Sequence, residues 1–122
     1  MPNSAHRGFP WESARDALEE RHGTLSPVHS INNATVVAAA LLWGEGDFTR
    51  TIGLAVQGGW DTDCNGATAG SAFGAMHGAG ALPTRWTTPL EDRIASALSG
   101  FDGARISELA ARSLAVARAI RH

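Results

Sequence analysis

The sequence of 122 residues contains no lysine and no tyrosine, and it has a single cysteine, Cys64. One cysteine excludes an internal disulfide, so we expect a reducing, cytoplasmic setting. The first residues lack the apolar segment of a signal peptide. The least charged stretch, 64–82, is mostly glycine and alanine, and its hydrophobicity is too low for insertion into a membrane.

Neither sign of charge dominates the sequence. The formal net charge is −2, and the isoelectric point is near 6.2. This balance excludes a basic surface for nucleic acid and a cationic face for membranes, so we expect neither as a partner. The hydrophobic share of 43% and the charged share of 18% are those of a globular protein with one small domain.

Helical periodicity runs through most of the chain and predicts the all-α class. Residues 1–10 contain two prolines and predict a disordered or linker start, before a single helical domain over 11–122. A loop is expected at 86–89, and a short amphipathic helix, or else a strand, at 90–98. The five longer helices are predicted to begin near Trp11, at Asn32 or Asn33, after Asp47, near Asp63 and near Ile106.

Glycines recur at every fourth residue of the fourth predicted helix, at Gly66, Gly70, Gly74 and Gly78. Each glycine inside a helix costs about 1 kcal/mol relative to alanine. In a soluble chain this stripe indicates close packing of another backbone or of a ligand.

The run Gly58-Gly59-Trp60-Asp61-Thr62-Asp63-Cys64-Asn65-Gly66 carries the chemistry. Asp61 and Asp63 can point at one centre, and their oxygens suit Mg²⁺, Mn²⁺ or Ca²⁺. The alternative is that Asp63 caps the following helix while Asp61 is solvated. An EF-hand calcium loop is excluded, because Ala72 stands where the bidentate glutamate should be.

This run, with the small-residue helix that follows it, resembles the second metal-binding motif of the ADP-ribosylglycohydrolase family. That is the family of the dinitrogenase-reductase-activating glycohydrolases. The flanks are similar as well, from Asn33 to Gly59 before the motif and at 80–83 with Trp86 after it. The likeness extends over about residues 29–90 and is weaker toward the C-terminus.

The resemblance implies an orthogonal helical bundle, of which this chain is the C-terminal portion, and a site for two divalent cations, Mg²⁺ or Mn²⁺. It also implies hydrolysis of a glycosidic bond to ADP-ribose, in ADP-ribosylated protein or an ADP-ribose-type small molecule. Carried over to this sequence, the metal ligands are Asp61, Asp63 and Cys64. Cys64 replaces the family's threonine, and because a thiol is a poor Mg²⁺ ligand, that contact is lost or taken by water.

Four residues around the motif are candidates for substrate binding: Gly59, Trp60, His29 and Asn33. A glycine lets backbone approach a ligand closely, and Trp60 could stack on a base or ribose. A different class of hypothesis makes Cys64 a nucleophile, with a pKa lowered by the helix N-terminus, His29 as its base and Asn33 as the orienting residue.

The family's other metal ligands come from a Thr-Asp-Asp motif in an N-terminal half, and this sequence has no such motif. The catalytic residues therefore stay unknown. We expect this chain to be the C-terminal metal-binding part of such an enzyme, inactive alone, with the missing N-terminal half as a partner. The alternative is a non-catalytic helical fragment or interaction module without turnover.

Overall fold

The structure is a computed structural model that describes residues 8–120. Within that range the only sheet is one short antiparallel strand pair, and helices form the rest of the regular structure, which confirms the all-α class. The α-helices are α1 (Trp11–His22), α2 (Ser30–Trp43), α3 (Phe48–Gln57), α4 (Thr62–His77), α5 (Thr84–Thr87) and α6 (Ile106–Ile120). One-turn 3₁₀ helices span Ala79–Ala81 and Thr88–Leu90, and the strands are β1 (Arg93–Ile94) and β2 (Ala104–Arg105).

The chain divides into two compact units, the first ending at Leu82 and the second beginning at Pro83. The first unit holds α1 to α4, and the second holds α5, the strand pair and α6. Residues 1–7 of the linker predicted for 1–10 lie outside the described residues. The single domain over 11–122 stays a prediction. No helix between residues 8 and 120 is long and apolar enough to cross a membrane.

Small side chains let the helices of the first unit approach one another closely. Ala40 of α2, Ala55 of α3 and Ala69 of α4 are all 0% exposed and belong to one core cluster. Trp11 of α1, Ala39 of α2 and Leu54 of α3 complete that cluster. The helices α2, α3 and α4 pack against one another. This packing fixes where α3 ends and α4 begins, which is where the sequence predicts the metal ligands.

The start of α2 corrects one prediction. The helix begins at Ser30, and its cap is His29, whose Nδ1 accepts a hydrogen bond from the Ile31 backbone N–H at 3.2 Å. Neither Asn32 nor Asn33 is the cap. The imidazole accepts one N–H of the first turn, and Asn32 Oδ1 accepts the next, from Asn33, at 3.1 Å. The Asn33 side chain is thus left for partners outside the helix. The cap predicted at Asp47 is confirmed, since its Oδ1 accepts from the Arg50 N–H at 2.7 Å.

The second unit departs from the sequence-based expectation. Residues 84–90, expected to be partly a loop, form a helical turn followed by a 3₁₀ turn. The short helix predicted at 90–98 is wrong, and the strand alternative is correct at Arg93–Ile94, which pairs with Ala104–Arg105. Glu91 and Asp92 both have left-handed backbones, with φ of 48° and 56°, which stops a helix there.

The glycine stripe of α4 is close-packed over only part of its length. A Cβ on Gly70 would lie 3.2 Å from Ile52 Cδ1, and one on Gly66 would lie 3.4 Å from Val56 Cγ2. A Cβ on Gly74 or Gly78 would meet no atom within 4 Å among the described residues. The close neighbours are therefore side chains of α3, and among the described residues no backbone of another segment lies within 4 Å of these positions. The alternative of a ligand at the stripe stays a prediction.

Asp92 caps α6 from a distant point in the sequence. Its Oδ1 accepts from the Ser107 backbone N–H at 2.8 Å, and its Oδ2 accepts from the Ser107 hydroxyl at 2.6 Å. The hydrogen bond from the Ser107 side chain, followed by the one from its backbone, lowers the pKa of Asp92, and the charges of Arg105 and Arg93 add to this. The Asp92 carboxylate thus joins the strand pair to the start of α6.

We expect Asp92→Asn to destabilise the protein at pH 7 and to have a smaller effect at pH 3. A carboxyl whose pKa is lowered on folding contributes its full stability above its unfolded pKa, near 4, and loses it as the pH falls through the folded pKa. Urea unfolding of wild type and variant at both pH values measures the difference, with Glu91→Gln as the neighbouring control. A difference that stays constant between pH 7 and pH 3 would contradict this role.

Candidate metal centre

The loop between α3 and α4 turns sharply through two left-handed residues. Gly59 has φ of 81° and Trp60 has φ of 56°, directly before Asp61 at the N-cap position of α4. The Trp60 carbonyl accepts from the Thr62 N–H at 3.1 Å, which closes the turn. Consequently Asp61 and Asp63 lie at the same helix N-terminus, where the helix dipole favours negative charge.

The structure brings the three predicted metal ligands together. One ligand atom from each of Asp61, Asp63 and Cys64 lies within 4.8 Å of the others. Asp61 is half-buried, while Asp63 and Cys64 are exposed. The interpretation of Asp63 as the helix cap is wrong, because Asp61 occupies that position and its side chain makes no capping hydrogen bond. Its carboxylate is thus not committed to the helix end.

The donor set fits a hard divalent cation through its two carboxylates and not through its thiol. Mg²⁺ and Mn²⁺ prefer oxygen ligands, and Asp61 and Asp63 supply them from one turn of backbone. Cys64 is instead hydrogen-bonded to Asp61. A protonated sulfur held by a carboxylate is a weak partner for such an ion, so water is the better candidate for that contact.

The negative charges around the Cys64 thiol act against its activation as a nucleophile. The hydrogen bond to Asp61 and the Asp61 charge raise the pKa of Cys64, and desolvation and the Asp63 charge act in the same direction. A nucleophilic cysteine needs a lowered pKa. The lowered pKa that the nucleophile hypothesis requires is therefore not found for Cys64 beside these two carboxylates.

Asn33 connects the start of α2 to this loop. Its Oδ1 accepts from the Asp61 backbone N–H at 3.1 Å and from the Asn65 side chain at 2.8 Å. Its Nδ2 donates to the carbonyls of Pro27 and His29, both at 2.8 Å. Both lone pairs and both N–H groups have partners, which fixes the orientation of the amide. Asn33 was predicted to bind substrate, and these contacts give it a role in holding the loop.

Asn65 is a residue that the sequence analysis missed. It is only 2% exposed, and its Nδ2 donates to Asn33 Oδ1 and, at 3.3 Å, to the Gly59 carbonyl. An asparagine inside a helix of alanine and glycine was the available signal, because a buried amide needs partners. Its two hydrogen bonds join α4, α2 and the left-handed turn.

The other predicted substrate-binding residues lie around the same loop. His29 is exposed and is linked to Asn33 through its carbonyl, which places it at the same end of α2. Gly59 and Trp60 form the turn itself. Between α2 and α4 is a cavity of about 400 Å³, and Asn33 lines it while His29, Gly59 and Trp60 do not. It is lined by Ser30, Asn33, Ala34, Val37, Ala38, Leu41, Cys64, Asn65 and Thr68.

The fold and the site together define a helical protein with two carboxylates at a helix N-terminus, beside a cavity. The family model for ADP-ribosylglycohydrolase matches residues 4–121, nearly the whole chain. The chain belongs to the ADP-ribosylglycohydrolase family. No curated protein and no solved structure matches it. Membership supports a hydrolase by resemblance, and the dinitrogenase-reductase-activating type stays a prediction.

We expect Cys64→Thr to bind Mg²⁺ more tightly than wild type, because a hydroxyl oxygen is a harder ligand than sulfur. A gain equal to one hydrogen bond, about 1 kcal/mol, corresponds to about a fivefold lower Kd. Cys64→Ala, which removes the sulfur without adding an oxygen, is the control and should change the Kd by less than about twofold. Calorimetric titration measures both. If Cys64→Thr binds no better than Cys64→Ala, position 64 does not contact the ion.

Proposed function

We propose that this chain provides one side of the metal site of a divalent-metal-dependent ADP-ribosylglycohydrolase. The observation that carries the proposal is the convergence of the Asp61 and Asp63 carboxylates in a chain of this family. The ions are Mg²⁺ or Mn²⁺, two in the complete site. The substrate is an ADP-ribosylated protein or an ADP-ribose-type small molecule, and the bond cleaved is the glycosidic bond to the ribose.

Each residue of the loop has a task in this proposal. Asp61 and Asp63 hold the cation, and Asn33 holds Asp61 by accepting its backbone N–H. The bound ion would polarise ribose oxygens and lower the pKa of an attacking water. The first N–H groups of α4 provide positive potential beside anionic substrate groups. The cavity along α2 and α4 offers space for the rest of the substrate.

In the complete site, the remaining ligands and the catalytic acid come from another polypeptide segment under this proposal. Among the described residues, Asp61, Asp63 and Cys64 are the only group of three or more ligating side chains close enough to hold a metal ion. Two carboxylates leave most of an octahedral shell to water, so we expect weak binding. We also expect no turnover from this chain alone, and the N-terminal half of the family fold is the proposed partner.

The metal claim is tested by calorimetric titration of the chain with MnCl₂ and with MgCl₂. We expect weak binding by wild type and a Kd higher by at least about tenfold in Asp61→Ala and Asp63→Ala, since each removes a charged ligand. Glu20→Ala, which removes an exposed carboxylate of α1, is the matched control. Equal heats for wild type and both aspartate variants would refute the metal site.

The expected lack of turnover by this chain alone is tested by incubating it with an ADP-ribosylated peptide and Mg²⁺. Released ADP-ribose is measured by chromatography. No release above buffer is the expected result for this chain. Measurable release that Asp61→Ala abolishes would show that the chain holds a complete active site, and that part of the proposal would then fall.

A further inference from the structure

The loop that carries the metal ligands contains a backbone conformation that its sequence disfavours. Gly59 adopts its left-handed φ without cost, but Trp60 has a bulky side chain and still has φ of 56°. For residues with a Cβ this region is uncommon and is retained when the surroundings enforce it. Trp60 directly precedes Asp61, so its conformation determines where the first carboxylate lies.

Arg15 of α1 packs over this turn. The carbon at the centre of its guanidinium lies 4.5 Å from the centroid of the Trp60 ring. That separation is typical of a cation–π contact, and a guanidinium can also stack on an aromatic face. One of its nitrogens, Nη2, lies 3.3 Å from where a Cβ on Gly59 would be. The guanidinium therefore covers both left-handed residues at once.

The guanidinium is itself held in place. Its Nη2 donates to Glu19 Oε2 at 2.8 Å, one turn further along α1. The Arg15 side chain is 23% exposed, whereas that of Glu19 is 51% exposed. A half-buried cation with a fixed carboxylate partner and an aromatic ring beneath it has little freedom to move away from the turn.

We propose that Arg15 is a positioning residue for the metal ligands, acting through Trp60. By packing on the ring and over Gly59, it stabilises the left-handed turn and so keeps the Asp61 N–H on Asn33 and the Asp61 carboxylate beside Asp63. In this arrangement one face of the Trp60 ring is occupied by the protein and is not the face for a substrate base. The inference rests on the proposed function in one respect, because it takes the Asp61 and Asp63 carboxylates as the metal ligands.

The test compares wild type with Arg15→Gln, which removes the cation, and with Arg21→Gln, the matched loss of an arginine from the same helix. Two quantities are measured: the Mn²⁺ affinity by calorimetry, and the hydrogen-exchange rate of the Asp61 amide by NMR without added metal. For Arg15→Gln we expect both to worsen by about two- to fivefold, the range of an exposed cation–π contact. Amides of the buried Ala40 and Ala55 should exchange as in wild type.

Two results would overturn the role of Arg15. The first is an Asp61 exchange rate in Arg15→Gln equal to that in Arg21→Gln. The second is equal acceleration at Asp61, Ala40 and Ala55, which would mean general destabilisation. Should Arg15→Gln fail to fold, Arg15→Lys replaces it, and exchange at Asp61 faster than in Arg21→Gln supports the role. A wild type that binds no Mn²⁺ defeats the proposed function, while exchange at Asp61 still decides the role of Arg15.

Discussion

Asn33→Ala is expected to destabilise the protein by about 2–3 kcal/mol and to remove detectable Mn²⁺ binding. The change deletes an acceptor shared by the Asp61 N–H and the Asn65 side chain, and a donor to two carbonyls. Asn65 is buried and would keep only its longer hydrogen bond to Gly59. An unsatisfied buried polar group costs about 1–3 kcal/mol. The loop, no longer tied to α2, would lose the position of Asp61.

Urea unfolding and a Mn²⁺ titration measure the two effects separately. Ser30→Ala, at the exposed first residue of α2, is the control and should change neither quantity. Asn33→Asp is informative as well, because a carboxylate still accepts from Asp61 and Asn65 but cannot donate to the carbonyls of Pro27 and His29. We expect it to fall between wild type and Asn33→Ala. Unchanged stability in Asn33→Ala would show that Asn33 does not hold the loop.

Gly58→Ala is expected to destabilise the protein by about 2–3 kcal/mol, as overpacking of a full core does. A Cβ at Gly58 would overlap Val36 Cγ1 and lie 3.3 Å from the Ala55 carbonyl. Val36 is 0% exposed, so it cannot move aside into solvent. The end of α3 would have to move away from α2, and the loop that carries Asp61 begins there. We therefore also expect weaker Mn²⁺ binding.

Gly53→Ala in the same helix is the matched control, with the opposite expected sign. A Cβ at Gly53 would meet no atom within 4 Å among the described residues, and the position is inside α3. Alanine should stabilise the helix there by about 1 kcal/mol. Thermal or urea unfolding of both variants measures the contrast. If both glycines responded alike, the contact between Gly58 and Val36 would not be the reason for the effect.

Local signals in the sequence were sufficient for the helices of the first unit. Apolar spacing and capping residues predicted where α1, α3 and α4 begin to within about two residues, a usual uncertainty for such boundaries. The cap of α2 was missed because histidine is not among the common capping residues, whereas asparagine is. In the second unit the strand pair has only two residues on each side, too few for an alternating pattern.

The closeness of the candidate ligands was predictable from the sequence, whereas the residues that hold them in place were not. The spacing of Asp61 and Asp63 before a helix indicated convergence, which the structure shows for their ligand atoms together with that of Cys64. The hydrogen bonds that Asn33 accepts from Asp61 and Asn65 span 28 and 32 residues, so no local pattern contains them. The contact between Arg15 and Trp60 joins residues still further apart in the sequence, and it depends on how α1 packs.

The central claim is that the loop before α4 is a metal centre, and substoichiometric Mn²⁺ in an NMR experiment tests it most directly. Paramagnetic broadening falls steeply with distance from the ion, so it locates the site without assuming one. We predict selective loss of amide signals around Asp61, Asp63 and Asn65 and at Asn33, and no such loss in Asp61→Ala. If the signals of Asp61, Asp63 and Asn65 persisted while broadening appeared elsewhere, for example at Glu12 and Glu20 of α1, the account would be contradicted.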